Sequence, residues 1–216
     1  MEKKLHDYRK SYDKSELVED NLSENPLEQF QKWFDEAEET GGLEEANAMT
    51  VSTIGNDGFP KSRIVLLKSY DDDGFVFYTN YESEKGKALN SHPQTCISFF
   101  WPNTERQVII KGVSEKVDSE LSDEYFASRP KGSQLGALVS NQSSVIKNRK
   151  ELEKELKALE KEYEDKKVPR PENWGGYLVR PESIEFWQGR PNRLHDRFLF
   201  IKKRSGQDWK IERLAP

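Results

Sequence analysis

The sequence predicts a mainly β chain with flanking helices, arranged as a small antiparallel barrel. Two observations carry this. Through the middle of the chain, short runs rich in β-branched and aromatic residues alternate with turn signals such as Asn56-Asp57-Gly58 and Asp71-Asp72-Asp73-Gly74, the mark of hairpin-connected strands. Around them lie segments whose apolar residues recur at helical spacing.

Residues 1–25 are polar, lack a sustained period and read by composition as a disordered arm. Residues 26–216 read as a single domain. Pro26 opens an amphipathic helix with Leu27, Phe30, Phe34 and Ala37 on one face, stopped by Gly41-Gly42. Strands are expected over 48–54, 62–68 and 75–79, a short helix over 83–90, and strands over 95–101 and 106–117. Helices follow over 119–127, from about 131, and over 147–166. The last carries a stripe of Leu152, Leu156, Leu159 and Tyr163, with ordered Glu153/Lys157 and Glu162/Lys166 pairs. Pro169 and Pro171 end it, and strands over 176–179, 183–188, 198–202 and 209–213 close the chain.

Composition narrows the function. Of the residues, 34% are charged and the mean hydropathy is -0.93, polar for a globular chain, while 5 Trp and 11 Phe argue against wholesale disorder. A net charge of -5 speaks against a nucleic-acid partner. No apolar run is long enough to span a membrane and the N-terminus has no signal-peptide core, so a cytoplasmic protein is expected. Cys96 is the single cysteine, which excludes an intrachain disulfide or a Cys-based zinc site; it reads as a small buried apolar residue. The three histidines, His6, His92 and His195, are too scattered to suggest a metal. Gly-rich dinucleotide, P-loop and nucleophile-elbow motifs are absent.

The densest chemistry lies in residues 184–198, where a strand breaks at Gly189 and Pro191 and resumes at Phe198. Trp187, Arg190, Arg193, His195, Asp196 and Arg197 crowd this break. Planar, donor-rich cations are what a protein gathers around a flat anion. Four other stretches invite the same question. Arg63 and Lys68 bracket an apolar strand and point to opposite faces, as two anion contacts or as ordinary strand-end charges. Thr79, Ser83 and Lys85 meet where a strand hands over to a helix, as a phosphate site or with Ser83 as a plain N-cap. Tyr125, Arg129, Lys131 and Ser133 surround a helix break, as a second phosphate cradle or a capped turn. Ser140-Asn141-Gln142-Ser143-Ser144 offers neutral donors and acceptors, or caps the following helix.

Taken together, Arg63-Ile64-Val65-Leu66-Leu67-Lys68, Tyr78-Thr79-Asn80, Glu105-Arg106-Gln107-Val108, Ser128-Arg129-Pro130, Gln142-Ser143-Ser144, Trp187-Gln188-Gly189, Arg193-Leu194-His195-Asp196-Arg197 and Arg213-Leu214-Ala215-Pro216 resemble the pyridoxamine 5'-phosphate oxidase family, in family order from about Tyr8 to the C-terminus. The resemblance implies an FMN-binding split β-barrel of antiparallel, Greek-key type. It implies a homodimer with FMN at the subunit interface, and oxidation of pyridoxamine 5'-phosphate or pyridoxine 5'-phosphate to pyridoxal 5'-phosphate with O2 as acceptor. It implies FMN contacts from Arg63, Ile64, Val65, Leu66, Leu67, Lys68, Tyr78, Thr79, Lys85, Gln107, Gln142, Ser143, Trp187 and Arg197. Substrate contacts are implied for Lys68, Tyr125, Arg129, Ser133, Arg193, Leu194 and His195, with Arg193 and His195 as the catalytic pair. Arg9-Lys10-Ser11-Tyr12 matches the family's arm that closes over the substrate, which turns the disordered arm into a mobile lid. One position departs: the family commonly has Arg-Lys where this chain has Glu84-Lys85, an acid beside the expected FMN phosphate. Two rival readings are another flavin oxidoreductase on the same barrel, such as a flavin reductase, and a non-catalytic pyridoxal phosphate-binding protein.

Overall fold

The structure, a computed structural model, describes residues 5–8, 10–203 and 208–216. Among these, nine strands form one sheet in the hydrogen-bonded order β2-β1-β5-β6-β7-β4-β3, with β8 added to β7 and β9 to β8. The strands are β1 (Ala48–Ile54), β2 (Pro60–Leu66), β3 (Ser69–Asp71), β4 (Gly74–Asn80), β5 (Gln94–Trp101), β6 (Arg106–Lys116), β7 (Trp174–Gln188), β8 (Asp196–Lys202) and β9 (Trp209–Arg213). Five α-helices accompany them: α1 (Pro26–Glu39), α2 (Glu84–Ser91), α3 (Ser119–Ser128), α4 (Lys131–Val139) and α5 (Arg149–Glu162). The pairings β3–β4, β4–β7, β7–β8 and β8–β9 are antiparallel, as the turn spacing predicts.

The chain divides into two compact units. One comprises residues up to Thr50, Cys96–Lys111 and Pro181–Pro216; the other comprises Val51–Thr95 and Gly112–Arg180. In the first, α1 starts where Asn25 Oδ1 accepts the Leu27 N–H at 2.9 Å with Pro26 in the first turn, where a missing N–H costs nothing. Its buried face puts Phe30 5.1 Å from Phe99 and Trp33 5.2 Å from Phe186, ring centre to ring centre. Phe186 in turn meets Phe200 at 5.5 Å across the β7–β8 pair. In the second, Phe126, Leu135, Val168 and Trp174 form a core against which Leu156, Leu159 and Tyr163 pack, so α5 is held by one apolar edge, as its stripe predicts.

Several expectations need correction. The run expected as a strand over 62–68 is β2 over Pro60–Leu66; the chain leaves the sheet at Leu67, and Lys68 lies beyond the strand, its N–H bonded to Val76 O at 2.9 Å. Strand parity therefore does not govern the direction of Lys68. β3 is absent from the sequence reading, because three residues before an acidic turn carry no periodic signal. The two strands expected over 176–179 and 183–188 are one strand, β7. Pro181 sits between its segment paired with β4 and its segment paired with β8, so the missing N–H falls where the ladder changes partner. Glu153 pairs with Arg149 at 2.7 Å, and α5 ends at Glu162, before Lys166. Asn148, not the 140–144 cluster, caps α5, its Oδ1 accepting the Glu151 N–H at 3.2 Å. Cys96 is half-buried rather than buried, with its thiol pKa pushed up by burial.

Candidate active site

In the second unit a cavity of about 650 Å³ is lined by Ile64, Val65, Leu66, Lys68, Tyr78, Thr79, Lys85, Tyr125, Arg129, Ser133, Gln142 and Trp174, with Pro130, Gly136, Ala137, Asn80 and Ser140 between them. Strands β2, β4 and β7, helices α2, α3 and α4, Lys68 and the 140–144 loop thus bring residues from across the second unit to one space. One wall is a stack of flat rings. Tyr78 lies 4.0 Å from Tyr125 and 5.6 Å from Trp174, with interplanar angles of 25° and 14°. Burial foremost, then the neighbouring Tyr125, raises the Tyr78 pKa, which keeps its phenol a neutral donor.

The cations of this cavity have almost no anions to face. Arg129 stacks on Trp174, its guanidinium carbon 4.6 Å from the ring centre, and its buried Nη1 has no hydrogen-bond partner. Burial pushes its pKa down, opposed by Tyr125. Lys85 is buried, and its Nζ donates to Thr79 Oγ1 at 3.1 Å and Gln142 Oε1 at 3.0 Å, both neutral. Burial, and then the Arg63 charge, lower its pKa to about 8, while Glu84 opposes them. Lys68 Nζ lies 6.0 Å from the Tyr125 ring centre. A buried guanidinium N–H without an acceptor is expensive for the fold; here it belongs to a residue that lines a polar, ring-walled cavity, an arrangement that fits an anionic planar ligand. The donor set therefore suits a phosphorylated flat molecule, with one orphaned guanidinium N–H on Arg129 and a buried ammonium on Lys85 that meets only neutral acceptors among the described residues.

Around the start of α2 a second recess is lined by Lys61, Ser62, Arg63, Ile64, Glu84, Lys85, Gln142 and Ser143. Ser83 is the N-cap of α2, its Oγ accepting the Gly86 N–H at 3.2 Å. Ser143, held at φ +71°, accepts the Glu84 N–H on its Oγ at 3.3 Å. The 140–144 loop thus caps the helix that precedes it by some sixty residues of chain. Arg63 Nη1 donates to Thr53 Oγ1 at 2.7 Å and Lys61 O at 2.8 Å. Glu84 is ion-paired to Lys61, which also meets Asp57 at 3.0 Å. The acid at the unusual position is thus neutralised by a lysine on β2. Gly86 is required here, since a Cβ would lie 2.2 Å from the Tyr81 carbonyl oxygen.

The first unit holds the remaining cluster. Between β7 and β8 the chain makes a short 3-10 turn, Pro191–Arg193, with Asn192 and Arg193 at φ +57° and +63°. Two consecutive non-glycine residues in the left-handed region are costly and mark functional turns. Arg193 is exposed and makes no hydrogen bond or ion pair with a described residue. His195 stands 4.6 Å from the Trp187 ring, and its Nδ1 accepts the Arg190 N–H at 3.1 Å. Burial, then Arg193, lower its pKa below 6.5 against the pull of Asp196. A neutral ring whose Nδ1 accepts must carry its hydrogen on Nε2; His195 therefore presents a donor. Arg197 is committed to Glu185 Oε1 at 2.9 Å and to Ala215 O at 2.9 Å.

Comparison with known proteins decides the family. Residues 34–162 match the family described as pyridoxamine 5'-phosphate oxidase. The chain belongs to the pyridoxamine 5'-phosphate oxidase family. Residues 174–216 match the pyridoxine 5'-phosphate oxidase C-terminal dimerisation region. A pyridoxine/pyridoxamine 5'-phosphate oxidase of Flavobacterium johnsoniae is 61% identical over 211 residues, covering 98% of both chains. One of Salinibacter ruber is 52% identical over 214 residues, 99% of each. Among solved structures, PhzG from Burkholderia lata, in complex with tetrahydrophenazine-1-carboxylic acid, superposes with a TM-score of 0.84 at 27% identity, covering 93% of this chain and 98% of that one. A pyridoxamine 5'-phosphate oxidase-related, FMN-binding protein from Nostoc punctiforme gives a TM-score of 0.70 at 17% identity, with 91% and 99% covered, which supports the shared fold. The split-barrel class expected from the sequence is the fold of this family.

Of the residues that the family resemblance singles out, the second unit's two recesses gather Arg63, Ile64, Val65, Leu66, Lys68, Tyr78, Thr79, Lys85, Tyr125, Arg129, Ser133, Gln142 and Ser143. Leu67 is buried and lines neither. In the first unit Tyr12, Trp187 and His195 meet ring to ring, Leu194 is exposed, and Gln107 lies half-buried on β6. Lys10 pairs with Glu105, Ser11 is exposed, and Arg9 lies outside the described residues. Sequence reasoning missed Trp174, Gln134 and Lys61. Trp174 walls the cavity; Gln134 ties α4 to α3 by donating to Phe126 O at 2.9 Å; Lys61 answers Glu84. The signal for Lys61 was the unmatched acid itself.

Proposed function

We propose that the protein is an FMN-dependent oxidase that converts pyridoxamine 5'-phosphate or pyridoxine 5'-phosphate to pyridoxal 5'-phosphate, with O2 reduced to H2O2. The substrate's 4' carbon gives up a hydride equivalent, two electrons and one proton, while a second proton leaves its hydroxyl or amine; with the amine substrate, water then hydrolyses the resulting imine and releases ammonia. The observation that carries this reading is the partnerless Nη1 of Arg129, a residue that lines a ring-walled cavity together with Lys85 and Lys68, in a chain of this family. FMN, when bound, supplies the two-electron acceptor and its reoxidation by O2.

The chain's own residues would bind, orient and donate. Arg63 and Lys85 would hold the FMN phosphate, with Tyr78, Thr79, Gln142, Ser143, Gln107, Trp187, Arg197 and the 64–67 backbone as further contacts. Lys68, Arg129, Tyr125 and Ser133 would hold the substrate phosphate, a dianion best met by several fixed donors. Arg193 and His195 would clamp the pyridine ring, with Leu194 beside them. The Nε2–H tautomer of His195 supports an orienting donor rather than a proton acceptor. Lys10, Ser11 and Tyr12, with Arg9, would form the lid. A homodimer with FMN at its interface would join clusters from two copies, and the match of residues 174–216 to a dimerisation region supports it.

The test is H2O2 release when pyridoxamine 5'-phosphate is added to FMN-loaded protein. Stoichiometric peroxide and pyridoxal 5'-phosphate are expected. Flavin reduction by a nicotinamide with no response to either phosphorylated substrate would make it a reductase instead, and failure to take up FMN would leave a carrier.

A further inference from the structure

We propose that Glu105 is a positioning residue: its buried carboxylate latches the 10–17 segment so that Tyr12 is seated against Trp187 and His195. Glu105 lies in the turn between β5 and β6, 0% exposed and at φ +59°. Its Oε2 accepts the N–H groups of Asp13 and Lys14 at 2.9 and 3.1 Å, more than ninety residues away in the chain. Lys10 Nζ stands 3.1 Å from Oε1 as an ion pair, outside hydrogen-bond geometry. Its own carbonyl oxygen accepts the Gly189 N–H at 2.8 Å. One residue thus joins the arm to the strand end that carries Trp187.

A buried carboxylate and a left-handed non-glycine backbone are both unfavourable by themselves. Here both sit in one residue, and among the described residues two consecutive N–H groups of the arm converge on one carboxylate oxygen as in an anion nest, with Lys10 beside the other. Releasing the arm would strip Oε2 of both. The rest of the segment is fastened in series: Arg190 Nη1 donates to Ser15 O at 3.1 Å, and the Leu17 N–H donates to Asp196 Oδ2 at 3.1 Å. Tyr12 then meets Trp187 edge-on at 5.8 Å and His195 at 6.0 Å. The seat is close enough that a Cβ on Gly189 would come within 2.8 Å of the Tyr12 Cβ and Cγ. Glycine at 189 keeps open the place that Tyr12 fills.

The docking stands on these contacts alone; its consequence for turnover rests on the function proposed above. The experiment is limited trypsin digestion of the full-length protein, with cleavage after Lys10 and Lys14 followed by mass spectrometry, in E105G, E105Q and G189A. E105G relieves the left-handed backbone and removes the acceptor; cleavage should accelerate by about tenfold or more, as expected for losing hydrogen bonds to a charged group. E105Q retains an amide oxygen for the two N–H groups and should stay within about threefold of the parent, a rescue that general loosening of the turn would not give. G189A leaves Glu105 intact and should expose the same two bonds by displacing Tyr12. In FMN-loaded protein, E105G should raise KM for pyridoxamine 5'-phosphate by about tenfold with kcat changed far less. Parental cleavage rates in both E105G and G189A, with unchanged melting temperatures, would overturn the latch. Accelerated cleavage with unchanged KM would overturn the positioning role. A parent that releases no peroxide would sink the proposed function and leave the cleavage result standing.

Discussion

The two clusters of cations are built on opposite principles. Around the β7–β8 turn nearly every guanidinium answers a protein carboxylate: Arg190 meets Glu16 and Asp196, Arg197 meets Glu185, and Arg213 meets Glu19 and Asp196. Arg106, also in that unit, lies between Glu36 and Gln188 over the Trp33 ring. In the ring-walled cavity, the described side-chain partners of Arg129 and Lys85 are rings, hydroxyls and an amide. Paired cations hold a fold together; cations without an acid are held in reserve for a ligand, because their desolvation is repaid only when an anion arrives. Among the described arginines of the first unit the exception is Arg193, on the turn and exposed, which is why it is proposed as a ligand contact.

The largest expected effect breaks this contrast if it fails. R129M should lower kcat/KM for either phosphorylated substrate by about a hundredfold or more, since charged hydrogen bonds of roughly 1.5–3 kcal/mol each are lost. Yet it should leave the melting temperature unchanged or raised, because an unsatisfied buried donor disappears. R106M should do the reverse and lower the melting temperature by roughly 5 °C, the equivalent of about 2 kcal/mol in a chain this size. If R129M melts early like R106M, Arg129 is structural and the contrast is void. A variant of the turn sharpens the same point: R193L should cut turnover strongly while the protein stays yellow, read from its absorbance alongside kcat.

Next in size is a pH effect. The folded Lys85 pKa, lowered to about 8 by burial and Arg63, means the ammonium that an anion needs is lost as pH rises past that value. Binding an anion restores the proton, so FMN affinity should be constant below about pH 8 and fall up to tenfold per unit above it until the pKa of the complex is reached. The same shift works oppositely on stability: the unfolded chain binds more protons between about 8 and its ordinary lysine pKa, so folding gains as pH climbs through that window. Fluorescence titration of FMN from pH 6 to 10 reads the first effect, and a flat profile, or a slope unchanged in K85M, removes Lys85 from the phosphate site.

How much of this could be read from residues alone follows from where each signal lives. Strands β1, β5 and β6 were legible because alternation and turn residues are local. The Arg129 region was legible as chemistry but not as a cavity: that it lacks an acid depends on which stretches fold around it, and Trp174, forty-five residues away, is what stacks on it. The 140–144 loop was misassigned for the same reason, since a cap can come from any distance and only the nearest helix is visible in sequence. Composition made the arm look disordered, because what holds it is a few hydrogen bonds to Glu105, Arg190 and Asp196 rather than a run of apolar residues. The tautomer of His195 is set by a main-chain N–H five residues away, which no motif encodes.

That tautomer yields a moderate effect. If His195 only donates from Nε2, H195N should reduce kcat by about tenfold and leave the acid limb of the pH–rate profile in place; a general base would cost about a hundredfold or more and carry that limb away with it. The smallest effect concerns Glu84. Its pairing with Lys61 is more than half exposed on the acid's side, so exposed-pair energetics apply and little depends on it. E84Q should tighten FMN by about twofold, by removing a negative charge near the Lys85 site and freeing Lys61 from one of its two acids; K61M should weaken FMN by a similar factor, because Glu84 then faces the recess uncompensated. The double variant returning to the parent's affinity would show that the two charges act as one neutral unit. If instead E84Q tightens FMN by tenfold or more, the lysine does not screen the acid, and the recess at α2 is the part of the molecule where a paired cation fails to behave as one.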